Sequence, residues 1–354
     1  MKVLHVLASN KYSGAENVVC QIIKLFKSEN HIEMAYCSVE GPIRETLEEK
    51  EIEFFGLKKL TTKNLNKIIK TYKPDIIHAH DMKASFICSF ATSKIPVISH
   101  IHNNAYDSRK FSLKSIAYLI ASKKITHIFW VSNSSLKDYK FTKFITKKSS
   151  VLENVIDVAE LYEKVDQDNN NYSFDVIFLG RLSYPKNPQR LIDVLSLAIG
   201  KNSSLRVAII GEGELLNETI KYAKKMNIYD NITFFGYINN PMKILVSSKV
   251  MVMTSRWEGI PMCALEAKAL NVKIVSTPTD GLKDIIKNNE NGFLSDNNSD
   301  LAEKIIEFIS INNKNNNDNY KNQIIYNNSI ELLNYKSELK KIYKENLKNG
   351  ENLE

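Results

Sequence analysis

The sequence has no long hydrophobic run and few cysteines. No apolar stretch approaches the roughly 18 residues that a membrane-spanning helix needs. The first residues, MKVLHVLAS, are not followed by the small-residue cleavage site of a secretory signal, so we expect them to form a strand. The cysteines lie far apart with no C-x-x-C spacing, which predicts neither a zinc site nor a disulfide framework. We therefore expect a cytoplasmic protein. The cysteines are Cys20, Cys37, Cys88 and Cys263.

Motifs for nucleic acid and for a metal-bound diphosphate are lacking as well. The sequence contains no zinc finger or ribonucleoprotein motif, so no nucleic-acid partner is expected. Its Asp-x-Asp, formed by Asp166 and Asp168, lies in a polar tract with no strand before it. We interpret these carboxylates as solvated charge rather than as a metal clamp.

The positive charge is concentrated in the first half of the chain. The net charge is +8, but residues 1–155 carry 24 Lys and Arg against 14 Asp and Glu, whereas residues 156–354 carry 24 against 26. Two basic and aromatic runs, residues 108–124 and 137–148, lie in the first half. Such runs can bind an anionic bilayer surface, although a solvated helix face would carry the same charges. We expect an anionic membrane surface or a phosphorylated acceptor as a partner.

The pattern of apolar runs predicts an α/β protein with two domains. A chain of 354 residues is long enough for two separate cores. Apolar runs alternate with helical patterns in both halves, which predicts parallel βαβ units and doubly wound sheets. The expected strands are residues 3–8, 33–39, 53–56, 75–79, 96–102, 125–131 and 151–155 in the first half, and 175–179, 207–210, 232–236, 250–253 and 273–277 in the second.

Residues 254–270, TSRWEGIPMCALEAKAL, predict a strand–loop–helix unit with two acidic side chains. An apolar run that indicates a buried strand precedes them. Glu258 and Gly259 form the turn, Pro261 suits the first helical position, and the residues that follow favour helix. Open α/β sheets bind ligands beyond the carboxyl ends of their strands. Glu258 and Glu266 are therefore candidates for a ligand site, with ordinary surface glutamates as the alternative.

A second candidate site lies at residues 180–187, GRLSYPKN, after the strand expected at 175–179. Arg181 can grip two phosphate oxygens with its planar guanidinium, and Lys186 adds a point charge. Two such cations can replace a divalent metal ion at a diphosphate. Gly211 and Gly213 follow the next strand, but the third glycine of a dinucleotide fingerprint is missing, which argues against NAD.

Four histidines end two successive strands of the first half. His78 and His80 are spaced by two, as are His100 and His102, so each pair lies on one face of its strand. Histidines can bind a metal, but no cysteine or carboxylate trio completes a site in the sequence. We therefore expect no metal cofactor.

Together these motifs resemble those of a known family. The two glutamates eight apart around Glu-Gly-x-Pro, the G-R-x4-K-N element and the H-x-H-N run are similar to the signatures of the family 4 retaining glycosyltransferases. The resemblance covers nearly the whole chain. It implies the GT-B fold, in which two Rossmann-like, doubly wound parallel-sheet domains face a cleft. The implied parts are an acceptor domain at 1–160, a linker at 161–173, a nucleotide-sugar domain at 174–328, and a C-terminal helix at 329–354 that in relatives crosses back to the first domain.

The match to the family has two departures. Residues 10–16, NKYSGAE, resemble the family's Gly-Gly-Ala-Glu loop, but Ser13 replaces the first glycine and leaves Gly14 to approach phosphate. Residues 152–157, LENVID, resemble the Pro-Asn-Gly-x-Asp hinge, with Glu153 and Val155 in the proline and glycine positions.

The resemblance also implies roles for single residues. Arg181 and Lys186 neutralise the departing diphosphate. Glu266 accepts hydrogen bonds from the ribose, Glu258 holds the sugar hydroxyls, and His102 lines the opposite wall of the donor site. The residues expected in catalysis are Glu258, His102, Arg181 and Lys186. Those expected to bind the donor and its nucleotide are Gly14, Arg181, Lys186, Gly211, Gly213, Tyr237, Ile238, Glu258, Gly259, Ile260, Pro261 and Glu266.

The expected function is transfer of a sugar from a nucleotide diphosphate sugar, expected to be a UDP-sugar, with retention and without a metal cofactor. The expected acceptor is a glycan or a polyprenyl-diphosphate-linked oligosaccharide of bacterial surface-polysaccharide assembly. The protein would be cytoplasmic, with peripheral contact to the inner face of the cell membrane. Three alternatives stay open: a nucleotide-sugar 2-epimerase of the same fold, a glycosidase that uses the two glutamates as paired carboxylates, and a non-catalytic sugar-nucleotide binder.

Overall fold

In the computed structural model, which describes residues 1–102, 106–311 and 318–351, the chain forms two compact units. The first unit contains Met1–Val155 and Ser329–Glu354, and the second contains Ile156–Asn328. Each unit has its own buried core around a parallel sheet. The predicted α/β class with two parallel sheets is therefore confirmed.

The first unit is built on a seven-stranded sheet in which neighbouring strands are parallel. Its central strands are apolar runs buried on both faces, as expected for a sheet covered by helices on both sides. In chain order the strands are β1 (Lys2–Val6), β2 (Glu33–Val39), β3 (Phe54–Leu57), β4 (Ile76–Ala79), β5 (Val97–Ile101), β6 (His127–Trp130) and β7 (Ser149–Val151). Their order in the sheet is β3-β2-β1-β4-β5-β6-β7.

The helices of the first unit divide between the two faces of this sheet. They are α1 (Gly14–Phe26), α2 (Ile43–Glu49), α3 (Thr62–Tyr72), α4 (Met82–Ala91), α5 (Leu113–Ser122) and α6 (Asn133–Asp138). Connections between parallel strands are right-handed, so the direction in which the chain moves along the sheet decides on which face the connecting helix lies. The chain moves in one direction from β1 to β3 and in the opposite direction from β3 to β6. Helices α1 and α2 therefore lie on one face. Helices α3, α4 and α5 lie on the other, with α4 packed between its two neighbours.

The second unit is built on a six-stranded parallel sheet. Its strands are β8 (Phe174–Leu179), β9 (Val207–Ile210), β10 (Ile232–Gly236), β11 (Ser248–Met253), β12 (Lys273–Ser276) and β13 (Gly292–Leu294), in the order β10-β9-β8-β11-β12-β13. Its helices are α7 (Val158–Asp166), α8 (Pro188–Lys201), α9 (Leu216–Lys225), α10 (Met242–Ser247), α11 (Met262–Ala269), α12 (Asp280–Ile285) and α13 (Asn298–Ser310). Because β8 and β11 are neighbours at the centre, the loops at their carboxyl ends meet.

The last helix, α14 (Asp318–Glu351), begins in the second unit and continues into the first. Within the first unit Glu29 forms ion pairs with Lys336 at 3.1 Å and with Lys340 at 2.7 Å. The side chain of Tyr343 is fully buried and its hydroxyl lies 2.8 Å from Nδ1 of His78. The C-terminal helix is therefore part of the core of the first unit. No helix in the described ranges is both long and apolar enough to span a bilayer.

Several predicted boundaries are wrong. The first unit ends at Val155 rather than at residue 160. The predicted linker, residues 161–173, is helical through Asp166, because Asp157 caps the helix at the N–H of Glu160 and Leu161 is buried beneath the polar surface. These contacts override the polar composition on which the linker was predicted.

Two further segments differ from their predictions. The strand expected at 151–155 lies at Ser149–Val151, because the chain leaves the sheet after the N–H of Leu152 donates to the carbonyl of Trp130 at 2.8 Å. The asparagine-rich composition of residues 312–328 predicts a loop or a frayed helix. Residues 318–328 are helical in α14, and 312–317 lie outside the described residues.

Candidate functional site

The loop that follows β11 is fastened to the loop that follows β8. The buried hydroxyl of Thr254 donates to the backbone carbonyls of Lys186 and Asn187 at 3.3 and 3.2 Å. The backbone N–H of Arg256 donates to the carbonyl of Pro185 at 2.7 Å. These bonds hold Lys186 beside residues 254–258 at the carboxyl edge of the sheet, where ligands of open α/β sheets bind.

Lys186 and Glu258 form a partly buried ion pair at this edge. Nζ of Lys186 lies 2.5 Å from Oε1 of Glu258, and the hydroxyl of Ser255 donates to the same oxygen at 2.6 Å. The two side chains are 20% and 12% exposed. Burial alone would lower the pKa of Lys186, but the carboxylate of Glu258 outweighs burial and raises this pKa above its usual value. The site therefore contains a protonated lysine held in one position.

A second cation, Arg181, follows β8 directly and is exposed. No carboxylate in the described ranges lies within 4.0 Å of its guanidinium. Its charge lies close enough to Lys186 to act against protonation of that lysine. Lys186 is paired with Glu258 and Arg181 is not paired with a carboxylate of the described residues, so the two cations and this one carboxylate carry a net positive charge, which suits an anionic ligand such as a diphosphate.

Glycines let the loops at this edge approach each other closely. Gly211 has φ of +132°, and a Cβ there would lie 2.1 Å from the carbonyl oxygen of Gly180. A Cβ on Gly213 would lie 2.2 Å from the carbonyl oxygen of Leu182. The N–H of Leu182 also donates to the carbonyl of Glu212 at 2.9 Å, which ties the two loops together. Loop packing therefore requires glycine at 211 and 213, whatever these residues do for a nucleotide.

The turn between Glu258 and α11 is also packed against a glycine. Gly259, Ile260 and Pro261 are buried, and Pro261 caps α11 instead of being its first residue. A Cβ on Gly281 would lie 1.3 Å from the carbonyl oxygen of Gly259. Sequence reasoning treated Gly281 only as part of a turn, and its role in supporting the Glu258 loop became visible only in the fold.

The remaining predicted residues of the second unit lie at the same edge or on the adjoining helix. Glu266 is half-buried on α11, and burial raises its pKa to about 7. Burial also raises the pKa of its neighbour Cys263 to about 12, which disfavours the reactive thiolate form. Tyr237 is exposed and Ile238 half-buried, directly after β10. A carboxyl with a pKa near neutrality can accept or donate hydrogen bonds under physiological conditions.

In the first unit, five histidines form a cluster near the carboxyl ends of β1, β4 and β5. Nδ1 of His5 lies 2.9 Å from Nε2 of His80, and Nδ1 of His80 lies 2.9 Å from Nε2 of His102. The rings of His78 and His100 stack with their centroids 5.5 Å apart. Sequence reasoning missed His5, which stands alone in its strand and is brought into the cluster by its register with His78.

Burial keeps these imidazoles uncharged. It lowers the pKa of His5 and of His102 to about 3, and it holds the pKa values of His78, His80 and His100 well below their usual range. Nε2 of His102 is bonded to His80, and Nδ1 of His102 is buried. The ring therefore turns neither nitrogen to solvent, and its contact with a donor sugar stays a prediction.

Two histidine triplets have donor atoms within 4.8 Å of one another, as metal ligands do. They are His5, His78 and His80, and His80, His100 and His102. The 2.9 Å separations at His80 are hydrogen-bond distances, however. Nitrogens around a tetrahedral zinc at 2.0–2.1 Å lie about 3.4 Å apart. Either triplet could hold a metal only after the bonds to His80 opened, and the expected absence of a metal cofactor stays a prediction.

Gly14 is the first residue of α1. A Cβ there would meet nothing within 4 Å, so packing inside the chain does not require this glycine. At the preceding position the hydroxyl of Ser13 donates to the carboxylate of Glu16 at 2.5 Å. Open space at a helix N-terminus is compatible with the predicted approach of a phosphate.

Two family models match the chain, one in each half. The model described as Glycosyltransferase Family 4 matches residues 12–160, and the model described as Glycosyl transferases group 1 matches residues 162–328. The chain belongs to the family 4 glycosyltransferases. The family that the motifs together resemble is thus confirmed.

This family 4 glycosyltransferase is similar to enzymes of bacterial polysaccharide assembly. It is 27% identical over 327 residues to the UDP-Gal:alpha-D-GlcNAc-diphosphoundecaprenol alpha-1,3-galactosyltransferase of Escherichia coli, in an alignment that spans 83% of this chain and 84% of that protein. It is 24% identical over 298 residues to the capsular polysaccharide biosynthesis glycosyltransferase CapH of Staphylococcus aureus, spanning 78% of this chain and 81% of that protein.

Solved structures of glycosyltransferases share the fold. HepE of Anabaena in complex with UDP-glucose has a TM-score of 0.78 at 17% identity, covering 99% of this chain and 100% of that chain. TarM has a TM-score of 0.69 at 14% identity, covering 98% of both chains. The predicted GT-B fold of the glycosyltransferase is therefore confirmed.

Proposed function

We propose that this glycosyltransferase transfers a sugar from a UDP-sugar with retention of anomeric configuration and without a metal ion. The observation that carries the proposal is the pair of cations, Arg181 and Lys186, at the carboxyl edge of β8, with Glu258 bonded to the lysine at 2.5 Å. The complex of a structural relative with UDP-glucose supports UDP as the carrier. Both cations would contact the diphosphate of the donor.

Charge development explains what the cations contribute. As the bond between the anomeric carbon and the phosphate oxygen breaks, the departing diphosphate gains negative charge. Lys186 is already protonated, because Glu258 raises its pKa. Cations fixed in place before the reaction stabilise such charge without further reorganisation. Arg181 and Lys186 would thus take the part that a divalent ion plays in other glycosyltransferases.

The proposed transfer occurs on one face of the sugar. The acceptor oxygen forms a bond to the anomeric carbon on the side that the diphosphate leaves, and the departing phosphate oxygen takes the proton of the acceptor hydroxyl. The products are the new glycoside and UDP. When the diphosphate engages Lys186, Glu258 becomes available to the sugar hydroxyls. Glu266 would accept hydrogen bonds from the ribose.

The test is a product analysis. We would incubate the protein with UDP-glucose, UDP-galactose and UDP-N-acetylglucosamine in turn, with and without an undecaprenyl-diphosphate-linked acceptor, and determine the anomeric configuration of the product by NMR. Transfer with the donor's configuration is expected. An inverted product would refute retention. An epimerised sugar formed without acceptor would support the 2-epimerase, and cleavage of an oligosaccharide without nucleotide would support the glycosidase.

We further propose that the acceptor is lipid-linked or a glycan of surface-polysaccharide assembly, and that the first unit contacts an anionic membrane from the cytoplasmic side. The E. coli relative, whose name includes a diphosphoundecaprenol acceptor, supports this. The described surface supports it independently. Phe111, Leu113 and Phe144 are 72%, 89% and 74% exposed, which is unusual for large apolar side chains.

These residues belong to one surface, which we call the α5 patch: Phe111, Leu113, Ile116, Ile120 and Phe144. Leu113, Ile116 and Ile120 follow helical spacing and so line one stripe of α5. Phe111 lies 5.4 Å from Phe141 by ring centroids, and Nζ of Lys140 lies 4.4 Å over the ring of Phe111. Apolar side chains rimmed by lysines suit the boundary between headgroups and acyl chains.

Two basic residues of the run 108–124 are already engaged within the chain. Arg109 pairs with Asp138 at 3.6 Å, and Lys114 pairs with Asp107 at 2.7 Å. The membrane attraction expected from this run would therefore come mainly from its other lysines, Lys110, Lys123 and Lys124.

A further inference from the structure

The positive charge of the first unit lies in one continuous part of the chain. Residues 58–148 carry 18 Lys and Arg against four Asp and Glu, a net charge of +14. Residues 1–57 carry six against nine, a net charge of −3. The first segment includes α3, α4 and α5, which share one face of the sheet, and the second includes α1 and α2 on the other face. The unit therefore has one basic and one weakly acidic face.

The basic face extends to α3, far in sequence from the α5 patch. Lys63, Lys67 and Lys70 are spaced so that they line one stripe of this helix, which we call the lysine row. With Thr62 and Asn66 they border a groove of about 440 Å³. All three lysines are exposed, and in the part of the chain that the structure describes none has a carboxylate within 4.0 Å.

Lysines just outside the row add to its positive charge. Two basic residues on the opposite face are instead paired with carboxylates. Lys58, Lys59 and Lys73 are also exposed, and residues 58–73 contain no Asp or Glu. On the other face Lys27 pairs with Glu51 at 2.6 Å, and Arg44 pairs with Glu40 at 2.7 Å. Like charges along one helix stripe are destabilising. An external anion would relieve the repulsion between the three unpaired charges of the row.

We propose that the lysine row of α3 is a second anchoring contact for an anionic phospholipid bilayer, so that the layer formed by α3, α4 and α5 lies along the membrane surface. Two observations favour a bilayer over a soluble polyanion. The same layer carries the α5 patch, whose apolar side chains a polyanion in water would leave exposed. The charge is also spread over three helices rather than gathered around one pocket. The inference deepens the membrane contact of the proposed function and rests on it.

The expected size of the effect follows from the number of lysines. A Lys or Arg near an anionic membrane strengthens binding about fivefold. Removing the three charges of the row should therefore weaken vesicle binding on the order of a hundredfold. A single anchor at α5 would let the unit pivot on the surface, whereas two anchors on one helix layer fix its orientation.

The experiment compares two triple variants of the full chain. In one, Lys63, Lys67 and Lys70 are changed to Gln. In the other, the exposed lysines of α9, Lys221, Lys224 and Lys225, are changed to Gln, which removes the same charge from the second unit. Each is sedimented with phosphatidylcholine vesicles and with phosphatidylcholine–phosphatidylglycerol vesicles, at low and at moderate salt. Circular dichroism checks that the variants are folded. Neither donor nor acceptor is present, so the result is independent of catalysis.

We expect the α3 variant to lose about a hundredfold in affinity for the anionic vesicles and the α9 variant to bind like the wild type. Hydrogen exchange should show α3 protected by anionic vesicles in the wild type. Equal losses in both variants would mean general charge attraction, and wild-type binding by the α3 variant would mean that α5 anchors alone. Protection of α3 by inorganic pyrophosphate as strong as that by vesicles would make the row a soluble-anion site. Each of these three results would overturn the proposal.

Discussion

Mild acid should destabilise the first unit because of its buried histidines. His5, His78, His80 and His100 are fully buried and uncharged, with pKa values lowered by burial from 6.5. An unfolded chain takes up a proton on each of them below pH 6.5, while the folded chain does not. The contribution to stability is therefore fully present above pH 6.5. It falls as the pH drops toward the folded-state pKa, which is about 3 for His5.

The size of the effect can be worked out for about pH 5. A histidine with an unfolded-state pKa of 6.5 and a folded-state pKa far below 5 lowers the free energy of unfolding by about 2 kcal/mol at that pH. His5 and His102, whose folded-state pKa values are about 3, give about 4 kcal/mol together, and burial shifts the pKa values of His78, His80 and His100 in the same direction. Domains are stable by only about 5–15 kcal/mol, so this loss is a substantial part of the stability of the first unit.

The two tryptophans allow the first unit to be followed by itself. Trp130 is buried in the first unit, and Trp257 lies in the second. In a Trp257→Phe background, urea unfolding followed by tryptophan fluorescence reports on the first unit. We would measure the free energy of unfolding at about pH 7.5 and about pH 5. We expect the difference to be at least about 4 kcal/mol and to shrink when His100 is changed to Gln.

The control is Asn30, an exposed residue of the same unit without a titratable side chain, changed to Gln. This substitution should leave the pH dependence unchanged. The measured quantity is the difference in free energy of unfolding between two pH values, so a destabilisation by His100→Gln that is equal at both pH values cancels. If the wild type loses less than about 2 kcal/mol between the two pH values, or if His100→Gln leaves the difference intact, the cluster is hydrated or protonated in the folded state and the reasoning is refuted.

Three further predictions concern the proposed function. Arg181→Ala or Lys186→Ala should slow transfer at least about a hundredfold, which is the loss typical of one preorganised stabilising group. Lys201→Ala, on the surface of the same unit, should not slow transfer. Steady-state kinetics of the folded variants test this, and near-normal rates would place the diphosphate elsewhere. EDTA should leave the transfer rate unchanged, and a loss restored by magnesium would contradict metal independence. Changing Phe111 and Phe144 together to Ser should weaken vesicle binding equally at low and at moderate salt, because apolar burial rather than charge is removed. Unchanged sedimentation would mean that the α5 patch does not contact the membrane.

Much of the fold could be predicted from apolar runs. The predicted strands 33–39, 207–210 and 232–236 match β2, β9 and β10 residue for residue. Such runs are short and apolar, and β9 and the centre of β2 are buried on both faces of their sheets. The boundary near 155–173 could not be predicted in this way. Its helix depends on a cap at Asp157 and on a few buried apolar side chains, a weak signal within a polar stretch.

The candidate site was predictable in its members but not in its contacts. The types and spacing of Arg181, Lys186 and Glu258 indicated phosphate and sugar chemistry. The bond between Lys186 and Glu258 joins residues that are 72 positions apart in the sequence, and it depends on β8 and β11 being neighbours. No local pattern contains that information. The same holds for Gly281, where a Cβ would collide with the backbone carbonyl of Gly259.

The discontinuous first unit has a consequence for biosynthesis. The second unit is one continuous segment and can fold as soon as it has left the ribosome. The first unit emerges earlier but lacks Tyr335, Leu339 and Tyr343, which fill its core, until the last part of the chain has been translated. Until then the side of α1 that carries Phe26 has no cover from Tyr343 and is open to solvent and to chaperones. A released chain that ends at Asn328 would therefore contain all of the second unit, whereas its first unit would lack the side chains that complete its core.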